Sequence, residues 1–246
     1  MKSFSAQAQG LLAIGAICVG ALSAVAGPGA AYDVRLAIQS RNAGAIQGRG
    51  VPMINDFTGG LLGLFPNGGP HLIADDPTFY SRHQTKFIAD MDATVADVNF
   101  PGVIVLDYEA WWPSWEWSPI GVQNSWDNYI RTKRTDLLVG KPQLDWPGII
   151  QNEYKKEVRK YYEFTINLAK SLRPKAKVSV YGMPLRSYWI FSGVPQYGFD
   201  LNGYRQLHEQ QLGWYCDLVD VICPSIYPGY KVGTPASGNI HGPAAN

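Results

Sequence analysis

Short apolar runs alternate with longer amphipathic stretches through the central part of the chain. Residues 103–106, Val-Ile-Val-Leu, are continuously apolar and largely β-branched, a pattern typical of a strand buried on both faces. Residues 79–98 instead repeat one side of a helix every four positions. That repeat comprises Phe79, His83, Phe87, Met91 and Val95, widened by Ile88. The spacing predicts a helix that leads into the strand.

The same alternation continues toward the carboxyl end. Residues 152–172 carry an apolar stripe opposite a charged face, and Pro174 follows, so this segment is predicted to be a helix. A strand at 177–181, a helix at 203–215 and a strand at 219–227 come next, with Gly or Pro after each strand. Strands separated by helical crossovers of this length predict a parallel sheet.

Two other stretches give weaker patterns. The first strand could be Val34–Ile38 or Val51–Ile54, and the residues leave this choice open, whereas Leu61–Phe65 is predicted to be a short buried strand. Residues 118–150 are rich in turn formers and are predicted to be a long loop. The basic patch at 131–134 would then belong either to an active-site loop or to a solvated cationic face.

The predicted fold class is α/β, and the favoured architecture is a (β/α) barrel of the TIM type. Short buried strands that end in aromatic or acidic residues favour a barrel with its site at the carboxyl ends. An open doubly wound sheet is the alternative, but no Gly-rich phosphate loop follows a strand. The length of 246 residues fits one domain. A net charge of +1 gives no general attraction to nucleic acid or anionic membrane, so neither is expected as a partner.

The amino terminus has the pattern of an export signal. An apolar run from Leu11 and small residues up to Ala26 predict a signal peptide over residues 1–26, with Ala31 as an alternative cleavage site. A membrane anchor is less favoured, because the run is shorter than the roughly 20 residues that a spanning helix needs. We therefore expect a secreted, extracellular domain over residues 27–246, with no membrane contact after cleavage.

Cys216 and Cys223 are the cysteines outside this signal. Export would permit a disulfide between them, but Cys216 is predicted at a helix end and Cys223 within a strand. Two buried, unbridged thiols are therefore the favoured interpretation. Neither cysteine has a His or Cys at metal-ligand spacing, so no metal site and no cofactor are predicted.

The candidate chemistry follows the strand at 103–106. Asp107 and Glu109 are two positions apart, so both carboxylates should leave the same face, with roughly 7 Å between their Cα atoms. Acids often end a strand simply because the chain emerges into solvent. The tryptophans that follow favour a binding role, because exposed indoles are costly unless they contact a ligand. They are Trp111, Trp112, Trp115 and Trp117. Two carboxylates beside indoles that can stack on sugars suggest glycosidic-bond chemistry.

Several segments resemble the hyaluronidase family of glycoside hydrolases. Residues 100–113, with the pattern Asp-Tyr-Glu-Ala-Trp-Trp-Pro, resemble the catalytic strand of that family. Residues 169–174 resemble its helix end, and residues 180–184 and 224–227 resemble two strands that each carry an active-site tyrosine. The order and spacing agree from about residue 67 to residue 230, and the resemblance implies a barrel fold.

The resemblance also implies a mechanism and its residues. Glu109 would be the general acid, Asp107 would orient it, Tyr227 would hold the substrate's N-acetyl group, and Tyr181 would lie against the reacting sugar. The N-acetyl carbonyl of the substrate would be the nucleophile, so the reaction would be retaining and substrate-assisted. The implied partner is an N-acetylhexosamine polysaccharide of the hyaluronan or chondroitin type. The predicted substrate-binding residues are Trp111, Trp112 and Trp115.

Three departures limit what the resemblance implies. Trp112 stands where the family has an arginine, so a less charged glycan is an alternative substrate. The family's disulfide cysteines have no counterparts here. The sequence stops at Asn246, where the family continues through further strands, so we expect a barrel that is incomplete at its carboxyl end. The alternative function is a secreted carbohydrate-binding protein that does not turn its ligand over.

Overall fold

The computed structural model of the protein describes residues 15–20, 33–38, 57–183 and 201–224. The strands are β1 (Gly15–Gly20), β2 (Asp33–Ile38), β3 (Phe57–Gly60), β4 (Val103–Leu106), β5 (Lys177–Val180) and β6 (Val221–Ile222). The helices are α1 (His71–Ala74), α2 (Phe79–Thr94), α3 (Ile120–Lys133), α4 (Trp146–Leu172) and α5 (Leu201–Leu218). Two short 3₁₀ turns, Thr135–Leu137 and Gln143–Asp145, lie between α3 and α4.

A parallel sheet carries the candidate site. Its strand order is β3-β4-β5, and both pairings are parallel. The arrangement extends toward β6, because Tyr181 and Cys223 form a parallel bridge and the Gly182 amide donates to the Cys223 carbonyl oxygen at 2.8 Å. The predicted parallel sheet is therefore confirmed for β3, β4 and β5. Consecutive strands are spatial neighbours, as in a barrel, and closure into a barrel stays a prediction.

A second sheet has the order β2-β1-β6 and is antiparallel at both pairings. The strand β2 coincides with Val34–Ile38, one of the two alternatives for the first strand, while Val51–Ile54 lies outside the described residues. The strand β1 lies within the predicted signal peptide. Removal of that segment after export stays a prediction.

The two faces of β4 contact different parts of the molecule. Ile104 and Leu106 have no exposed area and belong to the large core shared with the helices. Val103 and Val105 belong to a smaller cluster on the opposite face, together with Tyr181. Strand side chains alternate between faces, so burial on both faces explains why the run contains no polar residue.

The helix α4 forms the centre of the helical layer. It begins at Trp146, six positions before the predicted start, with a proline in its first turn. Its buried face is continuous with the core that covers Ile104 and Leu106. The residues on that face are Ile150, Tyr154, Val158, Tyr161, Tyr162, Thr165, Ile166 and Ala169.

The prediction of a strand at Leu61–Phe65 is wrong, because the strand is β3, immediately upstream. The apolar pattern does not mark β3, because this strand contains Gly59. A Cβ at this position would lie 1.9 Å from the Val105 carbonyl oxygen, so only glycine fits. Residues 61–66 form an irregular loop. Leu62 and Phe65 are nevertheless buried, which accounts for the apolar pattern.

The prediction of a long loop over residues 118–150 is also wrong, because α3 occupies Ile120–Lys133. Its buried residues Val122, Trp126 and Ile130 recur every four positions, a helical stripe that the many turn formers obscured. Most of the basic patch at 131–134 lies on the solvent side at the end of this helix. Arg131 pairs with Asp127 at 2.6 Å.

The remaining boundaries differ from expectation by small amounts. The helix α2 ends at Thr94 rather than near Val98, and Val98 is 55% exposed. Cys216 and Cys223 do not form a disulfide, as predicted. Cys223 is buried as expected, but the expectation that Cys216 is buried is wrong: it is exposed and lies within α5, which continues to Leu218. Among the described helices, none combines the length and the apolar composition needed to cross a membrane.

Candidate active site

The two carboxylates follow directly after β4. The Asp107 amide donates to the Gly60 carbonyl oxygen at 3.0 Å, and the Tyr181 amide donates to the Leu106 carbonyl oxygen at 2.8 Å. These bonds fix the carboxyl end of β4 between the ends of β3 and β5. Asp107 therefore lies beside Tyr181 at one edge of the parallel sheet, the edge at which sites form in folds of this type.

The electrostatics of the pair separate the two acids. Glu109 is on the exposed side, but partial desolvation, hydrogen bonding to Asp107 and the negative charge of Asp107 raise the pKa of Glu109 to about 7. Asp107 is half-buried, and its Oδ1 atom is buried with no hydrogen-bond partner among the described residues. A hydrogen bond between two carboxyl groups needs a proton on one of them, and the raised pKa of Glu109 assigns that proton to Glu109 near neutral pH.

A compact loop at residues 112–118, which we call the Trp loop, follows the acids. The Ser118 hydroxyl lies 3.1 Å from the amide nitrogen and 3.1 Å from the carbonyl oxygen of Trp112. The Tyr154 hydroxyl donates to that carbonyl oxygen at 3.0 Å. Gln123 donates to the carbonyl oxygens of Trp115 and Ser118. The loop is thus held to α3 and α4 before any ligand binds.

The three predicted stacking tryptophans have different environments. Trp112 is half-buried and lies against Gly182, where an added Cβ would be 3.3 Å from the edge of its ring. Trp115 is also half-buried and contacts the Tyr154 ring edge-on, with centroids 5.2 Å apart. Trp111 has no exposed area, because its ring packs on Phe65 and its Nε1 donates to the Pro66 carbonyl oxygen. The expectation that Trp111 stacks on a sugar is therefore corrected: it is a core residue.

Of the two predicted active-site tyrosines, Tyr181 belongs to the described residues and Tyr227 does not. Tyr181 is 8% exposed and packs against Val103 and Val105 on the face from which Asp107 emerges. Tyr227 lies outside the described residues, so its position beside the acids stays a prediction. The structure thus places Asp107 beside Glu109, to which it is hydrogen-bonded, and beside Tyr181, which follows the neighbouring strand β5.

Sequence reasoning missed the residues that support this edge. No sequence pattern marks Ser118, and Tyr154 belongs to the helix predicted over residues 152–172, whose pattern indicates packing and not a place beside the acids. Gly182, whose φ of +77° suits glycine, gives room for the Trp112 ring. His83 lies on the apolar repeat of residues 79–98, which indicates burial, and it is buried. Its Nδ1 accepts from the Leu64 amide at 2.9 Å.

Proteins similar to this chain include hyaluronidases and a chondroitin hydrolase. The family model described as hyaluronidase matches residues 76–235, which is more than half of the chain. Hyaluronidase from Polistes annularis is 31% identical over 150 residues, covering 59% of this chain and 38% of the relative. Human hyaluronidase-1 is 29% identical over 201 residues, covering 76% and 44%. A chondroitin hydrolase from Caenorhabditis elegans is 30% identical over 163 residues, covering 65% and 33%.

The chain belongs to the hyaluronidase family. The match includes Asp107, Glu109 and Tyr181, together with the helices α2 to α5. The chain aligns with about a third to a half of the length of the curated relatives it matches.

Proposed function

We propose that the protein is a secreted glycosidase that cleaves an N-acetylhexosamine polysaccharide of the hyaluronan or chondroitin type. The observation that carries this proposal is the acid pair. Glu109, with its pKa raised to about 7, keeps a large protonated fraction near neutral pH, as a general acid must. Asp107 is the hydrogen-bond partner and the negative charge that, together with partial desolvation, raise this pKa.

The proposed reaction is retaining and substrate-assisted. Glu109 gives its proton to the glycosidic oxygen while the carbonyl oxygen of the substrate's N-acetyl group attacks the anomeric carbon, so the leaving sugar departs as an alcohol. Water then attacks the anomeric carbon and displaces the N-acetyl oxygen, which re-forms the acetamide, while the Glu109 carboxylate takes the proton of that water and becomes the acid again. The negative charge of Asp107 supports the positive charge that develops on the ring. No second carboxylate has to attack, unlike the common two-carboxylate scheme.

The proposed sugar contacts are four aromatic side chains: Trp112, Trp115, Tyr181 and Tyr227. Trp112 and Trp115 present half-buried rings on the Trp loop, which α3 and α4 hold in place. Tyr181 lies on the face from which Asp107 emerges, and we assign it to the reacting sugar. Tyr227 is assigned to the N-acetyl group because it belongs to the segment that resembles the family's second active-site tyrosine.

The assignment is tested with a panel of hyaluronan, chondroitin and chitin oligosaccharides and with product masses as the readout. Wild type and Glu109→Gln are compared in parallel. We expect Glu109→Gln to lower kcat by about 10² to 10⁴ because it cannot donate the proton. The wild-type rate should also fall as the pH rises through about 7, where Glu109 loses its proton.

Two results would contradict the proposal in different ways. An unchanged rate in Glu109→Gln would remove Glu109 from the mechanism. Saturable glycan binding without products, in wild type as in the variant, would instead favour a carbohydrate-binding protein that uses Trp112 and Trp115 as a stacking surface.

A further inference from the structure

Loop 61–66 is tied to side chains through alternate backbone groups. The carbonyl oxygens of Leu62, Leu64 and Pro66 each accept a hydrogen bond from a buried aromatic side chain. The donors are the Tyr108 hydroxyl at 2.6 Å, the Tyr161 hydroxyl at 2.9 Å and the Trp111 Nε1 at 2.8 Å. Two amides of the loop are bonded as well, that of Gly63 to Asp90 at 2.7 Å and that of Leu64 to His83 at 2.9 Å.

Two of the three aromatic donors flank the proposed acid in sequence. Tyr108 lies immediately before Glu109, and Trp111 lies two positions after it. Neither side chain has any exposed area. Both rings contact Phe65, with centroids 4.8 Å and 4.3 Å from it, so they pack on the same loop that they bond to. Glu109 is thus carried on a short span between two buried anchors.

This arrangement leaves the acid exposed but its backbone fixed. Residues 107–109 follow β4 without belonging to it, so sheet hydrogen bonds alone do not hold Glu109. Asp107 is bonded to β3 through its amide, and the next fixed points along the chain are Tyr108 and Trp111. A shift of about 1 Å at a reacting group can cost on the order of 10² in rate, so these anchors matter for catalysis.

We propose that Tyr108 and Trp111 are positioning residues that hold Glu109 beside Asp107 by hydrogen-bonding loop 61–66. The inference rests on the proposed role of Glu109 as the acid. Burial raises the pKa of the Tyr108 phenol, so it remains a neutral donor to Leu62 at any working pH. Tyr161 bonds the same loop from α4 and does not flank the acids in sequence; Tyr161→Phe removes that bond and keeps the ring that packs on Tyr108 and Trp111, which makes it a matched control.

The charged neighbours that act on Glu109 are few within the described residues. Asp107 is the group that raises the pKa of Glu109 by charge. Glu116 on the Trp loop is paired with Lys155 on α4, and Asp90 on α2 is paired with Lys86. A change in the pKa of Glu109 in a neutral variant therefore reports its distance from Asp107 and its desolvation.

The experiment measures the pKa of the Glu109 carboxyl by ¹³C NMR in the full chain, assigned with Glu109→Gln. Wild type is compared with Tyr108→Phe, Trp111→Phe and Tyr161→Phe, and the kcat of each is measured where turnover is seen. We expect the pKa of Glu109 to fall by roughly half a unit or more in Tyr108→Phe and Trp111→Phe. We expect kcat to fall about tenfold with little change in KM. Tyr161→Phe should lower the melting temperature without moving the pKa.

The NMR readout separates this inference from the proposed function. Absence of turnover in wild type would contradict the function, while the pKa comparison would still decide the positioning role. An unmoved pKa of Glu109 in Tyr108→Phe and Trp111→Phe would overturn the inference. An equal fall in Tyr161→Phe would also overturn it, because general loosening of the loop would then be the cause. If one flanking variant does not fold, the other decides.

Discussion

Asp107 and Tyr108, which follow β4, face opposite sides of the sheet. Asp107 continues the face of Val103 and Val105, whereas Tyr108 continues the face of Ile104 and Leu106 and enters the helical core. The alternation that predicted two acids on one face also requires the residue between them to face the helices. The ring of Tyr108 is buried in this core, and its hydroxyl group donates a hydrogen bond to the Leu62 carbonyl oxygen.

Substitution of Trp112 can test whether the protein prefers anionic or neutral glycans. The half-buried ring of Trp112 lies against Gly182, next to Tyr181. We expect Trp112→Arg to strengthen binding of hyaluronan or chondroitin oligosaccharides relative to neutral chitin oligosaccharides, because it adds a cation beside the acids. Titration calorimetry with both glycan types gives the ratio of the two Kd values. Trp112→Leu controls for loss of the ring, and an unchanged ratio in Trp112→Arg would mean that the side chain does not face the glycan.

We expect His83 to make the free energy of unfolding depend on pH in the acidic range. It is fully buried, its Nδ1 accepts from Leu64, and its Nε2 lies 3.0 Å from the Thr165 hydroxyl. Burial lowers the pKa of His83 from 6.5 to about 4. The unfolded chain therefore takes up a proton first, and stability present above about pH 6.5 is lost as the pH falls toward 4. The lost free energy of unfolding is about 3 kcal/mol.

Urea unfolding at pH values from 4 to 7 measures this dependence. We expect wild type to lose stability more steeply than His83→Gln, which should be less stable at pH 7 but flatter with pH. His71→Gln is the control, because His71 is only half-buried and has no comparable bond to a loop amide in the described residues. Parallel curves for wild type and His83→Gln would show that His83 is not the titrating group.

At the scale of elements, Arg173 joins the end of α4 to the end of α2. Its side chain is 2% exposed, and its Nε donates to the Val95 carbonyl oxygen at 2.8 Å. The same guanidinium donates to Asp92 at 2.8 Å and to the Leu172 carbonyl oxygen at 2.9 Å. It satisfies carbonyl groups that the ends of α2 and α4 leave free, and these two helices precede β4 and β5 respectively.

Replacing this guanidinium should be costly. We expect Arg173→Met to lower the free energy of unfolding by about 2 to 4 kcal/mol, because it leaves the Val95 oxygen and Asp92 without their donor. Arg82→Met is the matched control on α2, where the side chain is 58% exposed and its pair with Asp76 should contribute under about 1 kcal/mol. Chemical denaturation gives both values, and equal losses would show that Arg173 acts as a surface charge.

At the scale of the whole molecule, β4 and β5 lie at the centre of the packing. Their side chains are buried on both faces, apart from Lys177 at the start of β5. Amide exchange from such strands requires unfolding of the large core. Exchange from the 3₁₀ turns at 135–145 requires only local opening.

Native-state hydrogen exchange followed by mass spectrometry tests this ranking. We expect peptides covering β4 and β5 to exchange only through global unfolding, with protection that falls when denaturant is added. Peptides covering residues 135–145 should exchange much faster and depend little on denaturant. Equal protection of the two regions would show that the parallel sheet does not define the most stable unit.

The sequence by itself determined the alternation of strands and helices, the acid pair and the family. Continuous apolar runs predict the buried strands, and apolar stripes predict α2 and α4. Both patterns can be recognised in the sequence because they are local. β3 escaped prediction, because two of its four residues are glycines and the close approach at Gly59 depends on Val105.

Only the tertiary structure decided which tryptophans are available to a ligand. The sequence does not distinguish Trp111 from Trp112 and Trp115. In the structure, Phe65 and Pro66 bury Trp111. Trp112 lies against Gly182 and Trp115 against Tyr154, and both rings stay half-buried. The same holds for the acids: the sequence places Asp107 and Glu109 two positions apart, but desolvation and a shared hydrogen bond set the pKa of Glu109. Burial and partner geometry arise from residues distant in sequence, so local patterns do not encode them.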